Sequence, residues 1–140
     1  LAQTTEGRIV ELDLFRGFER PFLAKLLAQT ECRVYLPGEA IAVEGQLGEG
    51  LYVVDVGQAV LEKDGFFIKT CSHGGHFGAA AMLGLGERCP CSLVAKTPCH
   101  VIVVSGRVFR AAQQSHPSME QTQALWRSQE LLSTQLEVAV

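Results

Sequence analysis

Short runs rich in Val, Ile, Tyr and Phe fill the middle of this chain, and turn residues separate them. The runs span residues 32–36, 40–43, 51–56, 58–63, 66–70, 91–95 and 99–104. Pro37-Gly38, Asp64-Gly65 and Pro98 stand between runs, and Asp-Gly is typical of a two-residue hairpin turn. Many short strands at this spacing favour a closed or double-sheet β-roll of the jelly-roll kind.

Helical periodicity flanks the predicted strands on both sides. From residue 12 to residue 29 apolar residues recur at three- and four-residue steps, and Gly17 and Pro21 interrupt them, which predicts two short helical pieces. Ser105 is predicted to cap a helix over residues 106–115, and Pro117 opens a second one that runs through residue 136. The predicted order is therefore helix, strands, helix.

Composition restricts the class of protein. A chain of 140 residues with 47% hydrophobic residues is long enough for one well-filled core and too short for two ordinary domains. The formal net charge of −3 and the absence of any Lys/Arg run predict no binding to nucleic acid or to an anionic membrane surface. No apolar stretch reaches the length of a membrane span, and residues 1–6 do not form a signal peptide. Because the chain begins at Leu1, we expect it to be part of a longer protein.

The cysteines indicate a reducing, cytoplasmic environment, because five is an odd number and their spacing forms no disulfide framework. We expect buried or half-buried thiols. One alternative is a redox-sensitive Cys89/Cys91 pair. Another is a zinc site, although its spacings differ from those of common structural sites. That site would use Cys71, His73, His76, Cys89 and Cys91.

Residues 74–83 have the composition of an anion cradle. Gly74, Gly75 and Gly78 permit a sharp turn, and three alanines after Gly78 favour a short helix whose first N–H groups are unpaired. Such a helix start attracts phosphate, and Arg88 could close over the anion if it is shielded from water. A plain structural turn is the alternative.

Four segments together carry a resemblance to a known family. Residues 35–41 read YLPGEAI, residues 44–57 read EGQLGEGLYVVDVG, residues 76–83 read HFGAAAML and residues 92–97 read SLVAKT. In this combination the chain resembles the cyclic-nucleotide-binding domain family, found in kinase regulatory subunits, gated ion channels and bacterial catabolite regulators. The resemblance covers about residues 12–136. It implies an eight-stranded, double-sheet β-roll with N-terminal helices, a short cassette helix and C-terminal helices.

The resemblance also implies a division of the chain. Residues 1–11 would be an N-terminal tail, and residues 12–140 one domain. Within that domain, residues 12–30 would form the N-terminal helices, residues 31–104 the β-roll and residues 105–136 the C-terminal helices.

In that family the cassette normally reads Phe-Gly-Glu, with the Glu on the ribose 2′-hydroxyl and a later Arg on the cyclic phosphate. Here Phe77-Gly78 match, and Ala79 stands at the position of the Glu. Counting forward from Phe77 gives Arg88 at the position of the Arg, whereas counting back from residues 95–97 gives Cys89. We assign the phosphate contact to Arg88, because a thiol carries no charge at neutral pH unless its pKa is lowered.

The resemblance therefore implies a set of ligand-binding residues and no catalytic or metal-binding ones. The set is Phe77, Gly78, Ala79, Ala80, Arg88, Cys89, Ser92 and Trp126. The C-terminal helix folds over the nucleotide in this family, so Leu125 and Trp126 would either cap the base or only dock the helix. If Ala79 alone weakens binding, Ala79→Glu would strengthen it.

We thus expect a cytoplasmic, non-catalytic sensory domain that needs no cofactor. Its ligand would be cAMP or cGMP, and its partner would be a larger effector part of the same protein, such as a channel or kinase. The alternative is a degenerate domain that binds no cyclic nucleotide and serves as an interaction or assembly module. A cupin-like enzyme would need a His-x-His pair, and His73 and His76 do not provide one.

Overall fold

The computed structural model describes residue 15, residues 18–82 and residues 88–116. The predicted tail over residues 1–11, most of the first helical piece and the predicted second C-terminal helix lie outside these residues. Leu125 and Trp126 belong to that last segment, so their predicted contacts with a base stay predictions.

Three helices and eight strands form within the described residues. The helices are α1 (Arg20–Leu27), α2 (Ala79–Met82) and α3 (Gly106–Ser115). The strands are β1 (Glu31–Tyr35), β2 (Ala40–Ala42), β3 (Gly50–Val56), β4 (Ala59–Lys63), β5 (Phe66–Cys71), β6 (His76–Phe77), β7 (Ser92–Ala95) and β8 (Cys99–Ser105). Each predicted run of strand agrees with an observed strand to within one residue at either end.

The strands pair into two four-stranded antiparallel sheets, which confirms the double-sheet β-roll. One sheet has the order β1-β8-β3-β6 and the other β2-β7-β4-β5. The eighth strand, β6, was absent from the sequence pattern because two residues are too few to show an alternation. It is defined by its register, in which Tyr52 lies opposite Phe77 and Val53 opposite His76.

Two apolar clusters hold the domain together, one on each face of the β1-β8-β3-β6 sheet. Successive side chains of β3 point to opposite faces of the sheet. Leu51 and Val53 therefore belong to an outer cluster that also contains residues of the helices. Tyr52 and Val54 belong instead to an inner cluster between the two sheets. Strands β3 and β8 are therefore buried on both faces, and the helices pack against the outer side of this sheet.

Local sequence chemistry sets the helix start and the hairpin turn as predicted. The Ser105 hydroxyl accepts a hydrogen bond from the N–H of Val108 at 3.1 Å and so caps α3. Asp64 and Gly65 have φ values of 52° and 81°, as a type I′ turn between β4 and β5 requires. Pro21 lies in the first turn of α1, where its missing N–H costs nothing.

Candidate functional site

The turn before α2 is built on a close contact between two glycine backbones. Gly78 has a φ of 96°, and a Cβ there would overlap the carbonyl oxygen of Gly50. The same Cβ would lie 3.5 Å from the ring of Tyr52. The Met82 N–H then donates to the Gly78 carbonyl at 3.1 Å and closes the only turn of α2. The predicted glycine turn and short cassette helix are thus present, directly against β3.

Ala79 lies on the outer side of the cassette, away from the roll interior. Its exposed fraction is 0%, and it belongs to the outer apolar cluster with Met82, Phe22 and Phe109. A carboxylate at this position would meet hydrocarbon in place of a ligand hydroxyl. The expectation that Ala79→Glu strengthens binding therefore receives no support from this geometry.

Arg88 faces solvent and is not shielded from water in this structure. Its side chain is exposed, and its Nη1 donates to the Gly45 carbonyl at 2.7 Å. Its backbone pairs with Leu47 in one antiparallel bridge. Contact between Arg88 and a bound phosphate stays a prediction.

Cys89 faces the roll interior, at the position adjacent to Arg88. It is buried in the inner cluster with Phe77 and Tyr52, and its N–H donates to the Gln46 carbonyl at 2.8 Å. Burial raises the pKa of the Cys89 thiol, so the thiol is neutral at pH 7. It therefore supplies no positive or negative charge to a ligand.

Ser92 is half-buried, and its hydroxyl accepts a hydrogen bond from the N–H of Glu44 at 2.9 Å. This bond ties β7 to the segment after β2. The structure thus brings Phe77, Gly78 and Cys89 together around Tyr52, whereas Arg88 and Ser92 contact the 44–47 segment. Trp126 lies outside the described residues.

An ionic network beside the cassette was not identified from the sequence. Arg33 on β1 binds Glu49 with both terminal guanidinium nitrogens, Nη1 to Oε2 at 2.6 Å and Nη2 to Oε1 at 3.0 Å. Glu49 in turn accepts a hydrogen bond from the Tyr52 hydroxyl at 3.3 Å. Glu31 also contacts the Arg33 guanidinium, with Nη2 to Oε2 at 2.6 Å.

These contacts shift the protonation of the two acidic groups in opposite directions. The Arg33 hydrogen bonds hold the pKa of Glu49 below its ordinary value, so this carboxylate is ionised at neutral pH. Burial raises the pKa of Tyr52 to about 12, so its hydroxyl stays protonated and can donate to Glu49. At neutral pH the network is therefore an ion pair with a neutral phenol attached.

The cysteines are free thiols. Cys32 is exposed, and Cys71, Cys89, Cys91 and Cys99 are buried. Across the described part of the chain, no group of three or more His, Cys, Asp or Glu side chains is placed to hold a metal ion. The zinc alternative thus receives no support, and the expectation of burial is wrong for Cys32.

Comparison with known proteins connects this geometry to a family. The family model of the cyclic nucleotide-binding domain matches residues 32–116. The human potassium/sodium hyperpolarization-activated cyclic nucleotide-gated channel 3 is 26% identical over 116 residues, which are 83% of this chain and 15% of the channel. The chain thus spans only a small part of that relative.

Two solved structures share the fold. The C-linker/CNBHD of zELK channels, crystallised in the presence of cAMP, superposes with a TM-score of 0.77 at 20% identity over 94% of this chain and 64% of that one. The cAMP-bound PfPKA-R superposes with a TM-score of 0.69 at 22% identity over 88% of this chain and 44% of that one. No helix within the described ranges is both long and apolar enough to cross a membrane. The family match over residues 32–116, on a fold of this type, shows that the chain belongs to the cyclic nucleotide-binding domain family.

Proposed function

We propose that this chain is the ligand-sensing regulatory domain of a larger protein, such as an ion channel or a kinase regulatory subunit. It binds cAMP or cGMP at the cassette and has no catalytic role. The observation that carries this proposal is the close contact of Gly78 with the Gly50 carbonyl. Helix α2 begins directly after this contact, and the chain belongs to this family. The names of its relatives support the class of ligand and of effector.

Arg88 is the candidate for contact with the ligand phosphate. Its Nη1 donates to the neutral Gly45 carbonyl at 2.7 Å, and a phosphate would offer the guanidinium an anionic acceptor in addition to or in place of that carbonyl. Ala79 and the neutral Cys89 add no charged contact. We expect affinity to be lower by about ten- to a hundredfold than with a full set, because a lost hydrogen bond to a charged group costs about 1–3 kcal/mol.

Relay to an effector would proceed by a shift between two populated states. The ligand favours the state in which the cassette is closed on it, and only its differential affinity for the two states drives the change. Because α2 packs near the first residue of α3, a movement of the cassette reaches the helix that leads to the predicted C-terminal segment.

Isothermal titration calorimetry with cAMP and with cGMP tests the proposal. Arg88→Ala should weaken binding by about 10–100-fold, because a phosphate would lose its charged partner. Arg20→Ala is the matched control, since Arg20 is an exposed arginine at the start of α1 and should leave affinity unchanged. Equal affinity in a folded Arg88→Ala variant would assign the phosphate contact to backbone N–H groups alone.

A second function is favoured by the burial of Ala79 and the exposure of Arg88. With a methyl group and a neutral thiol at the cassette, the domain would be an interaction or assembly module that binds no cyclic nucleotide. The absence of heat at millimolar cAMP and cGMP, with the protein folded, selects this function over ligand sensing.

A further inference from the structure

Gly50 is the point at which the cassette and the start of α3 meet. The Gly50 carbonyl lies directly under Gly78, and a Cβ on Gly50 itself would overlap the carbonyl oxygen of Val104. The same Cβ would lie 2.9 Å from the backbone nitrogen of Gly106, the first residue of α3. On the other side, the Gly106 N–H donates to the Glu49 carbonyl at 3.1 Å. The residues 49–50 thus contact both elements through their backbone.

This contact transmits displacement because the three glycines that form it carry no side chain of their own. Gly78, Gly50 and Gly106 touch through main-chain atoms, so a change of rotamer cannot absorb a shift of one element against another. A movement of Gly78 must either carry residues 49–50 with it or break the close packing.

The side chain of Glu49 attaches this backbone segment to β1, in addition to the pairing of Gly50 with Ser105. Both carboxylate oxygens are bound by the Arg33 guanidinium, and the Tyr52 hydroxyl adds a third hydrogen bond. A bidentate pair of this kind fixes direction as well as distance. Arg33 itself is only 29% exposed on β1, and β1 is paired along its length with the central strand β8. Glu49 is therefore anchored to the sheet and not to the moving cassette.

We infer that Glu49, held by Arg33, is a positioning residue that couples the cassette to the start of α3 through Gly50. In the ligand-free domain it keeps the two elements in one cooperative unit. In the liganded domain it passes cassette closure to α3, and this second role rests on the proposed function.

Amide hydrogen exchange measured by NMR without ligand tests the coupling. The two reporter amides are Met82, bonded to Gly78, and Gly106, bonded to Glu49. Glu49→Ala should accelerate exchange at both amides by about two- to fivefold, because local opening of one element then frees the other. The Ala95 amide, which donates to the Glu39 carbonyl at 2.9 Å in the other sheet, corrects for any change in global stability.

Glu31→Ala is the matched control. Glu31 contacts the same guanidinium at 2.6 Å, yet it lies on β1 opposite Val103 and not in the 49–50 segment. Both reporter amides should exchange in Glu31→Ala as they do in the parent protein. The double variant Arg33→Glu with Glu49→Arg should restore slow exchange, because it rebuilds the pair with the charges reversed. If Glu49→Ala fails to fold, Glu49→Gln removes the charge at constant size and should shift the same two amides.

The inference is overturned if Gly106 exchanges faster in Glu49→Ala or Glu49→Gln while Met82 is unchanged relative to Ala95. It is also overturned if Glu31→Ala accelerates both amides equally. Both results come from the ligand-free protein, so they do not depend on nucleotide binding. Calorimetry of the parent protein with cAMP separately decides the proposed function.

Discussion

Ala79 and Cys89 occupy two positions at which the resemblance predicted chemistry with a ligand, and both are buried among apolar side chains. A methyl group and a neutral thiol lose little hydration on burial, and both pack as small hydrophobic groups. The charged residue of this region, Arg88, is adjacent to Cys89 and faces outward. Ala79 and Cys89 therefore contribute to the packing of the two clusters and not to electrostatic contact with an anion.

Ala79→Glu should lower the free energy of unfolding by about 2–4 kcal/mol, because a carboxylate would be placed in an apolar cluster without a partner. Urea denaturation followed by circular dichroism measures this change. Ala111→Glu is the control, since Ala111 is exposed on α3 and should change stability by no more than about 0.5 kcal/mol. Equal stability of the two variants, with tighter cAMP binding by Ala79→Glu, would mean that residue 79 reaches the ligand.

The residues that local chemistry controls were predictable. Ser105 caps α3 and Asp64-Gly65 makes the hairpin turn, because each depends on neighbours within three positions. The orientation of Arg88 and Cys89 was not predictable. The two ways of counting differ by one residue, and a shift of one residue moves a side chain from the interior to the solvent face. The contact of Arg33 with Glu49 was also not predictable, because it joins positions 16 apart that meet only in the assembled sheet.

Among the elements, the sheet β1-β8-β3-β6 determines how the others are arranged. Its strands β3 and β8 are buried on both faces, because the helices contact one side while the second sheet contacts the other. Its edge strand β1 carries Arg33, and its strand β3 begins at Gly50, so the ion pair between Arg33 and Glu49 joins an edge of the sheet to the loop that enters β3. This ion pair therefore adds a side-chain link to the backbone contacts between the cassette, the 49–50 segment and the start of α3.

The coupling between Arg33 and Glu49 should depend on pH. Arg33 stays protonated because its neighbours raise its pKa, and the pKa of Glu49 is lowered from its ordinary value of 4.5. The stabilisation is therefore fully present above about pH 5 and is lost as the pH falls through the lowered pKa of Glu49. A double-mutant cycle of Arg33→Met and Glu49→Gln should give about 0.5–1 kcal/mol at pH 7, a modest value because Glu49 is half exposed.

Denaturant titrations of the four proteins of this cycle, repeated from pH 7 to pH 3, measure the coupling energy. It should decrease steadily below about pH 4.5. A coupling energy that stays constant over this range would assign the interaction to packing of the long side chains and not to charge.

For the molecule as a whole, alternation and turn chemistry predicted the β-roll, while the two separate clusters became visible only once the strands were paired. The inner cluster contains all four buried cysteines, Cys71, Cys89, Cys91 and Cys99, distributed over both sheets and the segment after the cassette. These thiols lie at different distances along the chain from the cassette, so their accessibility reports which parts of the domain open together.

Thiol labelling should distinguish opening of the cassette from unfolding of the whole domain. In the native protein one thiol, Cys32, should react rapidly with a disulfide reagent, because the other four are buried and burial raises the pKa of Cys89 and Cys99. Cys32→Ser should remove this fast phase, and all remaining thiols should react in denaturant. Mass spectrometry of the labelled peptides then gives the order of the slow reactions.

If the segment after the cassette opens on its own, Cys89 should react faster than Cys99, whose Sγ also donates to the Gln58 carbonyl at 3.2 Å within the paired part of the roll. Equal slow rates at Cys89 and Cys99, both matching global unfolding, would mean that the cassette and the β-roll open as one unit. A domain that senses a ligand by moving its cassette requires the first result, because an element that never opens separately has no second state for the ligand to select.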